Sequence, residues 1–373
     1  MKILLMDAAK LQEEEARWAK KKGYSKHEDP KPLYDEEDAM SVFPMLKPTA
    51  YEHELSIHPK VAIQFRNAGH ILGAATVEMT IHGNQQMKKI VFSGDLGRYQ
   101  DPMLYPPEPV TDADILFIES TYGDRDNPIN NPMEEFAEVV NRALRQPGCL
   151  LIPAFSVGRT QLLMYYLKTL IENKAIPDVP VYIDSPMAIS ATALHKQFSK
   201  YHKLHALNGT DQHDVFDFPN FQYRRGQEDS IQLNFIKRDA IIISASGMCT
   251  GGRILHHLYN RLQNKNDTVL FVGYQAEGTR GRRILDGEES IKMFGYDIPV
   301  VCHVEKIEGL SAHADKSELL QWAENFKDKP KLTFVVHGEL KSSTAFAETL
   351  HEKLGWNVQV PQYKEAVELF KGI

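Results

Sequence analysis

Between residues 149 and 274 the chain repeats one pattern, a short apolar run followed by a helical one. The runs are Cys149-Leu150-Leu151-Ile152-Pro153, Val181-Tyr182-Ile183-Asp184, Ala240-Ile241-Ile242-Ile243 and Thr268-Val269-Leu270-Phe271-Val272-Gly273-Tyr274. Helices are predicted between them at residues 161–167, 187–198 and 252–262. Apolar runs without alternation suit strands covered on both faces, and strand–helix repetition predicts a parallel sheet with right-handed crossovers. The fold class is therefore α/β. A chain of 373 residues is long enough for two domains, or for one domain with a large insertion.

On either side of this region the pattern changes. Residues 1–22 read as a helix with Leu4, Leu5, Ala8 and Leu11 on one face, a Glu13–Arg17 pair on the other, and Gly23 as the stop. Residues 24–48 are rich in proline and charge, with one helical patch at Ala39-Met40-Ser41-Val42-Phe43. From Val61 the period is two: strands are predicted at 61–65 and 75–81, and His82-Gly83-Asn84 turns into another at 90–92. Asp114-Ile115-Leu116-Phe117-Ile118-Glu119 is a near-continuous apolar strand ending in an acid. Residues 203–235, which include His205, His213, Asp217 and Pro219, form the least regular stretch. Beyond them the sequence predicts a strand at 300–304, a helix opened by Ser311-Ala312-His313-Ala314-Asp315, a buried strand at 332–336 and a final helix over 342–354.

The formal charge of −7 provides no global basic field, so any contact with nucleic acid has to be a local patch. Cys149, Cys249 and Cys302 form no CxxC pair, which fits reduced thiols better than a disulfide framework. No apolar run is long enough to span a bilayer, and the block Met1-Lys2-Ile3-Leu4-Leu5 is too short for a secretion signal. A cytoplasmic protein with no membrane association is the expectation.

The candidate chemistry lies at strand ends and loops. Ser93-Gly94-Asp95-Leu96-Gly97 follows Ile90-Val91-Phe92, and its two glycines allow a tight turn that presents the Asp95 carboxylate at a strand's carboxyl end. A hard oxygen donor on a rigid turn is what a bridging ligand between two metal ions requires, although Gly-Asp is equally an ordinary turn pair. His70 lies between glycines on a loop, where a surface histidine is the plainer reading. His337 directly ends an apolar strand, partly desolvated and rigidly aimed, as a metal ligand or a hydrogen-bonded core histidine would be. Glu119 ends another, where a carboxylate has to be paired, hydrated or functional. His313, placed in the first turn of a helix, meets the positive dipole end; a carboxylate partner such as Glu119 would leave it able to donate a proton. Ser246-Gly247, ahead of Gly251-Gly252, offers amides and a hydroxyl to an anion, or else only a sharp turn. No GxGxxG or GK[ST] spacing supports a dinucleotide or P-loop site.

Taken in order, these motifs resemble the metallo-β-lactamase-fold nucleases that carry a β-CASP insertion. That group includes the endonuclease subunit of the mRNA 3′-end cleavage machinery and ribonuclease J. Gly69-His70-Ile71-Leu72-Gly73-Ala74 is similar to the family's third motif and Ser93-Gly94-Asp95-Leu96-Gly97 to its fourth. Glu119-Ser120-Thr121-Tyr122-Gly123 resembles the acidic motif that opens the insertion; Ser311-Ala312-His313-Ala314-Asp315 and Val336-His337-Gly338-Glu339 resemble the two histidine motifs after it. Within the insertion, Pro153-Ala154-Phe155-Ser156-Val157-Gly158-Arg159, Asp184-Ser185-Pro186-Met187-Ala188, Ala245-Ser246-Gly247-Met248 and Gly273-Tyr274-Gln275 are also family-like.

The resemblance covers nearly the whole chain and implies a metallo-β-lactamase αββα sandwich, incomplete at its N-terminus, with an inserted parallel α/β β-CASP domain. Residues 1–126 and 299–373 would form the sandwich and 127–298 the insertion. It also implies two zinc ions, His70 and His337 each holding one and Asp95 bridging them. His313, oriented by Glu119, would protonate the leaving oxygen. Ser246, Gly247, Met248 and Ser311 would hold phosphates of single-stranded RNA in a cleft between the domains. The function implied is zinc-dependent hydrolysis of phosphodiester bonds in that RNA.

One part of the family pattern is missing. HxHxDH occurs nowhere in the sequence, and His256-His257 falls in a predicted helix instead. Of the usual ligands, His70, Asp95 and His337 remain, so weak or incomplete zinc binding is expected, and the chain alone need not be active. The other motifs are undamaged, which points to loss of an N-terminal segment as a block and predicts a homo-oligomer or a complementing N-terminal segment. Two rival functions stand beside the ribonuclease: a non-catalytic RNA-binding or scaffolding subunit, and another metallo-β-lactamase-fold hydrolase with a small ester or thioester substrate. The long insertion argues against the latter, since a small substrate needs no second domain.

Overall fold

The computed structural model of the chain describes residues 1–23, 25–83, 86–127, 131–204 and 215–370. Asn84 of the predicted turn, and His205 and His213 of the irregular stretch, lie outside the described residues. The chain divides into two compact units: Met1–Lys47, Ile129–Ser199 and Ala206–Leu310 form one, and Pro48–Pro128, Lys200–His205 and Ser311–Ile373 form the other.

In the unit that contains the strand-end motifs, one sheet has the order Leu55–His58, Val61–Asn67, Ala75–His82, Met87–Phe92, Ile115–Glu119, Leu332–Val336 and Val358–Gln359. The pairing is antiparallel as far as Met87–Phe92 and parallel from there on. Register decides what this sheet can do. Phe92 stands opposite Phe117, and Val336 opposite Glu119. The turn carrying Asp95, the Glu119 carboxylate and His337 therefore emerge at the same carboxyl edge, where parallel strands place their ligands.

The helices Lys316–Ala323 and Leu340–Leu354 supply Trp322, Phe346 and Leu350 to the core formed with Val91, Leu116, Ile118 and Val335. A separate apolar cluster holds Phe92, Phe117 and Phe334, stacked with ring centroids 4.8 Å apart, and Leu369 and Phe370 pack against it. Among the described residues this unit has one β layer of the expected sandwich.

The other unit realises the strand–helix alternation. Its sheet is parallel throughout, in the order His303–Ile307, Thr268–Val272, Cys149–Pro153, Ala240–Ser244, Val181–Asp184 and Phe221–Tyr223. Thr268–Val272, Cys149–Pro153, Ala240–Ser244 and Val181–Asp184 are buried at every position, as unalternating apolar runs require. Helices Arg159–Glu172, Pro186–Gln197 and Arg253–Arg261 follow the strands as predicted.

Several local expectations differ from the structure. The strand predicted at 300–304 runs His303–Ile307, because parallel pairing sets His303 opposite Thr268. The helix Lys2–Lys22 ends at Gly23 with φ 65°, but it buries Ala9 and Ala19, while Leu4 is 42% exposed. Glu13 does not pair with Arg17; it accepts the Glu36 N–H at 3.0 Å at the start of the helix Glu36–Ser41. Residues 1–47 gather with the parallel sheet, where Lys2–Lys22 packs on Pro186–Gln197, and residues 299–310 gather there because His303–Ile307 extends that sheet. Among the described residues, no helix is long and apolar enough to cross a membrane.

Candidate functional site

Three loops deliver the site, and backbone contacts join them. Gly69 bridges to Leu96 and Gly97 to His313 in short antiparallel contacts. The Gly97 N–H donates to the Ala68 carbonyl at 2.7 Å, and the Ala314 N–H to that of Leu96 at 2.8 Å. The approach is close: a Cβ on Gly97 would lie 1.9 Å from the Gly69 carbonyl oxygen. Gly94, at φ 59°, would bring a Cβ within 2.6 Å of the Ala75 carbonyl oxygen. Only glycine fits at either position.

This knot places His70, Asp95, Glu119, His313 and His337 together. The Asp95 carboxylate, 39% exposed, turns Oδ2 toward His70 Nε2 at 3.8 Å and Oδ1 toward His337 Nδ1 at 3.4 Å. The His70 and His313 rings lie 4.2 Å apart between centroids, and those of His313 and His337 5.8 Å apart. Glu119 is buried beneath them. Its oxygens stand 3.0 and 3.2 Å from His313 Nδ1, and they accept the Leu96 N–H at 2.6 Å and the Thr121 N–H at 3.2 Å.

Electrostatics follow from these contacts. Burial alone would raise the Glu119 pKa, but the bonds from His313, Thr121 and Leu96 outweigh it and hold the carboxyl below its ordinary value. Burial, reinforced by the neighbouring His313, pushes the His70 imidazole down to about 4, so at neutral pH it is uncharged and able to act as a donor. The sequence places His313 in the first turn of a helix, yet that helix begins only after Asp315, whose carboxylate accepts the Glu318 N–H in a capping box. Its setting is governed by Glu119 rather than by a helix dipole. His337 is also more open than expected, with its side chain 57% exposed, because the chain turns at φ 53° immediately after the strand.

The donor atoms of His70, Asp95 and His313 lie within 4.8 Å of one another, as do those of Glu119, His313 and His337. Imidazole nitrogens mixed with carboxylate oxygens suit zinc and similar divalent ions, so the residues present fit a metal. The candidate phosphate contacts are distributed differently. Ser311 is 5% exposed and its hydroxyl accepts the His313 N–H at 3.2 Å, so it shapes the histidine loop. Ser246, Gly247 and Met248 belong to the parallel-sheet unit. There the Ser246 hydroxyl lies 3.0 Å from that of Thr250, Gln275 Nε2 donates to the Gly247 carbonyl at 2.9 Å, and the Gly281 N–H donates to that of Met248 at 3.1 Å.

Sequence reasoning missed two supports. The Ser93 hydroxyl accepts the Glu119 N–H at 3.0 Å, and Thr121 Oγ1 sits 3.3 Å from His337 Nδ1 while donating to the His337 carbonyl at 3.2 Å. Both residues lie inside the motifs quoted above, which is the only signal that pointed to them.

Residues 160–284 match the family model of the Beta-Casp domain, and residues 297–361 that of the Zn-dependent metallo-hydrolase RNA specificity domain. A ribonuclease of Thermus thermophilus is 31% identical over 372 residues, covering 98% of this chain and 79% of the relative. An RNase J-like protein of Methanocaldococcus jannaschii is 32% identical over 333 residues, covering 88% and 76%. Transcription termination factor FttA of Pyrococcus abyssi is 31% identical over 350 residues, covering 91% of this chain and 53% of the factor, so the chain spans about half its length. Fold, ordered motifs and relatives together assign the chain to the metallo-β-lactamase-fold β-CASP ribonuclease family, a family of hydrolytic nucleases.

Proposed function

We propose that this chain hydrolyses phosphodiester bonds of single-stranded RNA in a zinc-dependent reaction. The observation that carries the reading is the Asp95 carboxylate, which offers one oxygen toward His70 and the other toward His337. His70, Asp95 and His337 would hold the metal. When bound there, zinc supplies polarisation of the scissile phosphate and activation of water. His313 would deliver a proton to the leaving oxygen: Glu119 holds its Nδ1, so the transferred proton comes from Nε2. Glu119 fixes the ring orientation and stabilises the charged imidazolium from below. The Ser246–Met248 loop, clamped by Gln275 and Gly281, is assigned to the RNA backbone, and Ser311 to the loop that aims His313. Relatives named ribonuclease and RNase J-like support RNA as the substrate class. This donor set is smaller than a two-ion site needs, so fewer than two tightly held zinc ions per chain are expected.

The test combines metal analysis of the zinc-loaded protein with a 5′-labelled single-stranded RNA. Zinc retention with cleavage, both lost in Asp95→Ala, supports the reading. Tight RNA binding by the zinc-loaded chain with no cleavage would sink it in favour of a non-catalytic RNA-binding subunit.

A further inference from the structure

Within the unit that holds the histidine cluster lies a cavity of about 220 Å³ whose lining includes Tyr51, Leu72, Tyr105, Glu108, Lys200 and Tyr201. Small-molecule pockets start at roughly 300 Å³, so this one suits a single planar ring system rather than a whole nucleotide. Its walls are aromatic. Tyr51 and Tyr201 meet edge to face with ring centroids 6.2 Å apart, and Tyr105 is 43% exposed. The Tyr51 hydroxyl donates to the Ala74 carbonyl at 2.9 Å, which fixes that ring. Lys200 Nζ stands 4.9 Å from the centroid of the Tyr201 ring.

The polar group in the pocket is unusual. Glu108 is pinned through its backbone: its N–H donates to the Asn67 carbonyl at 2.8 Å, and its carbonyl accepts Trp322 Nε1–H at 2.9 Å. Its carboxylate oxygen Oε2 is nevertheless buried with no hydrogen-bond partner among the described residues. Arg66 is close enough to interact with it electrostatically, but that guanidinium bonds Glu78. A buried, unsatisfied carboxylate oxygen is costly unless something completes it.

We infer that this cavity is a nucleobase subsite selective for guanine, which stacks on the tyrosines and donates hydrogen bonds to Glu108. The argument is one of edges. Guanine presents adjacent N–H donors, N1–H and the exocyclic amine. Adenine and cytosine set a lone-pair nitrogen beside their amine, and uracil flanks its one N–H with carbonyls; either arrangement would face the carboxylate with repulsion. Stacking accepts every base, so the carboxylate alone supplies the choice. Asn67, Ile71, Leu72 and Gly73 belong to or flank the loop that carries His70, so a base held here lies close to the proposed scissile phosphate.

The inference rests on the RNA reading above, and its test separates the two. Fluorescence anisotropy in EDTA, where cleavage is suppressed, compares a labelled oligouridylate with the same strand carrying one guanosine. The wild-type chain should bind the guanosine strand about tenfold more tightly. Glu108→Gln should bring the two strands within about twofold, by weakening guanosine binding and relieving the repulsion of uracil, while Tyr201→Ala should weaken both by a similar factor. Equal wild-type affinities, or a guanosine preference that survives Glu108→Gln, overturn the inference and leave the RNA reading standing. Binding of neither strand in EDTA overturns the subsite, while the RNA reading stands or falls by the zinc-loaded test above. The wild-type comparison needs no variant, so an unfolded Glu108→Gln protein does not protect the idea.

Discussion

Each of the two units holds a buried strand-end carboxylate hydrogen-bonded to an imidazole, and the two pairs have different fates. In the parallel-sheet unit, Asp184 lies 2.7 Å from His257 Nε2, and the histidine is 1% exposed. Arg253 Nη1 donates to the same carboxylate at 2.7 Å and Ser230 Oγ at 2.6 Å. Burial would raise the Asp184 pKa, but His257, Ser230 and Arg253 reverse it and hold the group low. In the other unit Glu119 is as deeply buried and its pKa is lowered in the same way, yet its imidazole partner is 18% exposed and has the His70 ring 4.2 Å away. A shifted carboxylate beside a histidine therefore reports desolvation and hydrogen bonding, not chemistry. The difference lies in whether the imidazole's second edge meets more protein or a partly open cluster of donors.

That contrast can be broken by experiment. His313→Ala should lower RNA cleavage by about 10²–10⁴-fold, the usual worth of a general acid, while Glu119 keeps the hydrogen bonds from Leu96 and Thr121. His257→Ala should cost stability without that loss of cleavage. Removing one hydrogen-bond partner of the buried Asp184 carboxylate costs about 2 kcal/mol, with Arg253 and Ser230 still in place, and the folded protein should still cleave at the wild-type rate. Equal losses of activity in the two variants would erase the distinction.

Acidification gives the smallest and most local contrast. The folded His70 titrates at about 4 against an ordinary value of 6.5, so below 6.5 the unfolded chain takes up a proton that the folded chain refuses. The stabilisation is complete above 6.5 and disappears as pH falls toward 4. Between pH 7.5 and 5 the metal-free protein should lose about 2 kcal/mol. Rate-corrected hydrogen exchange should show the loss around residues 68–70 and 95–97 but not along Ala240–Ser244 or Thr268–Val272, since the lowered Asp184 begins to matter only below its ordinary 3.8. Uniform loosening of both sheets would contradict the assignment to His70.

The same two regions differ in how far the sequence exposes them. Cys149–Pro153 and Ala240–Ser244 are legible because a strand buried on both faces has to be apolar at every position. The hairpin Ser290–Met293 and Tyr296–Pro299 is not, because its burial alternates over too few residues to stand out. Edge strands Leu55–His58 and Phe221–Tyr223, and the helix Pro132–Leu144, are absent from the sequence reading for want of an equally strong pattern. At the site, Asp95, Glu119 and His337 could be read as strand-end groups, but their meeting depends on parallel register, which no local pattern encodes. The orphaned oxygen of Glu108 carries no sequence signal at all, because it is defined by what fails to reach it.

The β-bridges from Gly69 to Leu96 and from Gly97 to His313 have a consequence for how the centre can change over time. Fixing a residue's backbone costs about 1–2 kcal/mol, and here folding has already met that cost for His70, Asp95 and His313 together. An arriving ion or nucleic acid finds these groups waiting. The same coupling forbids piecemeal drift: a side chain at Gly97 would displace the loop beneath His70 as well as its own. Descendants of this chain can diversify only around that welded kernel, while the kernel itself is inherited whole.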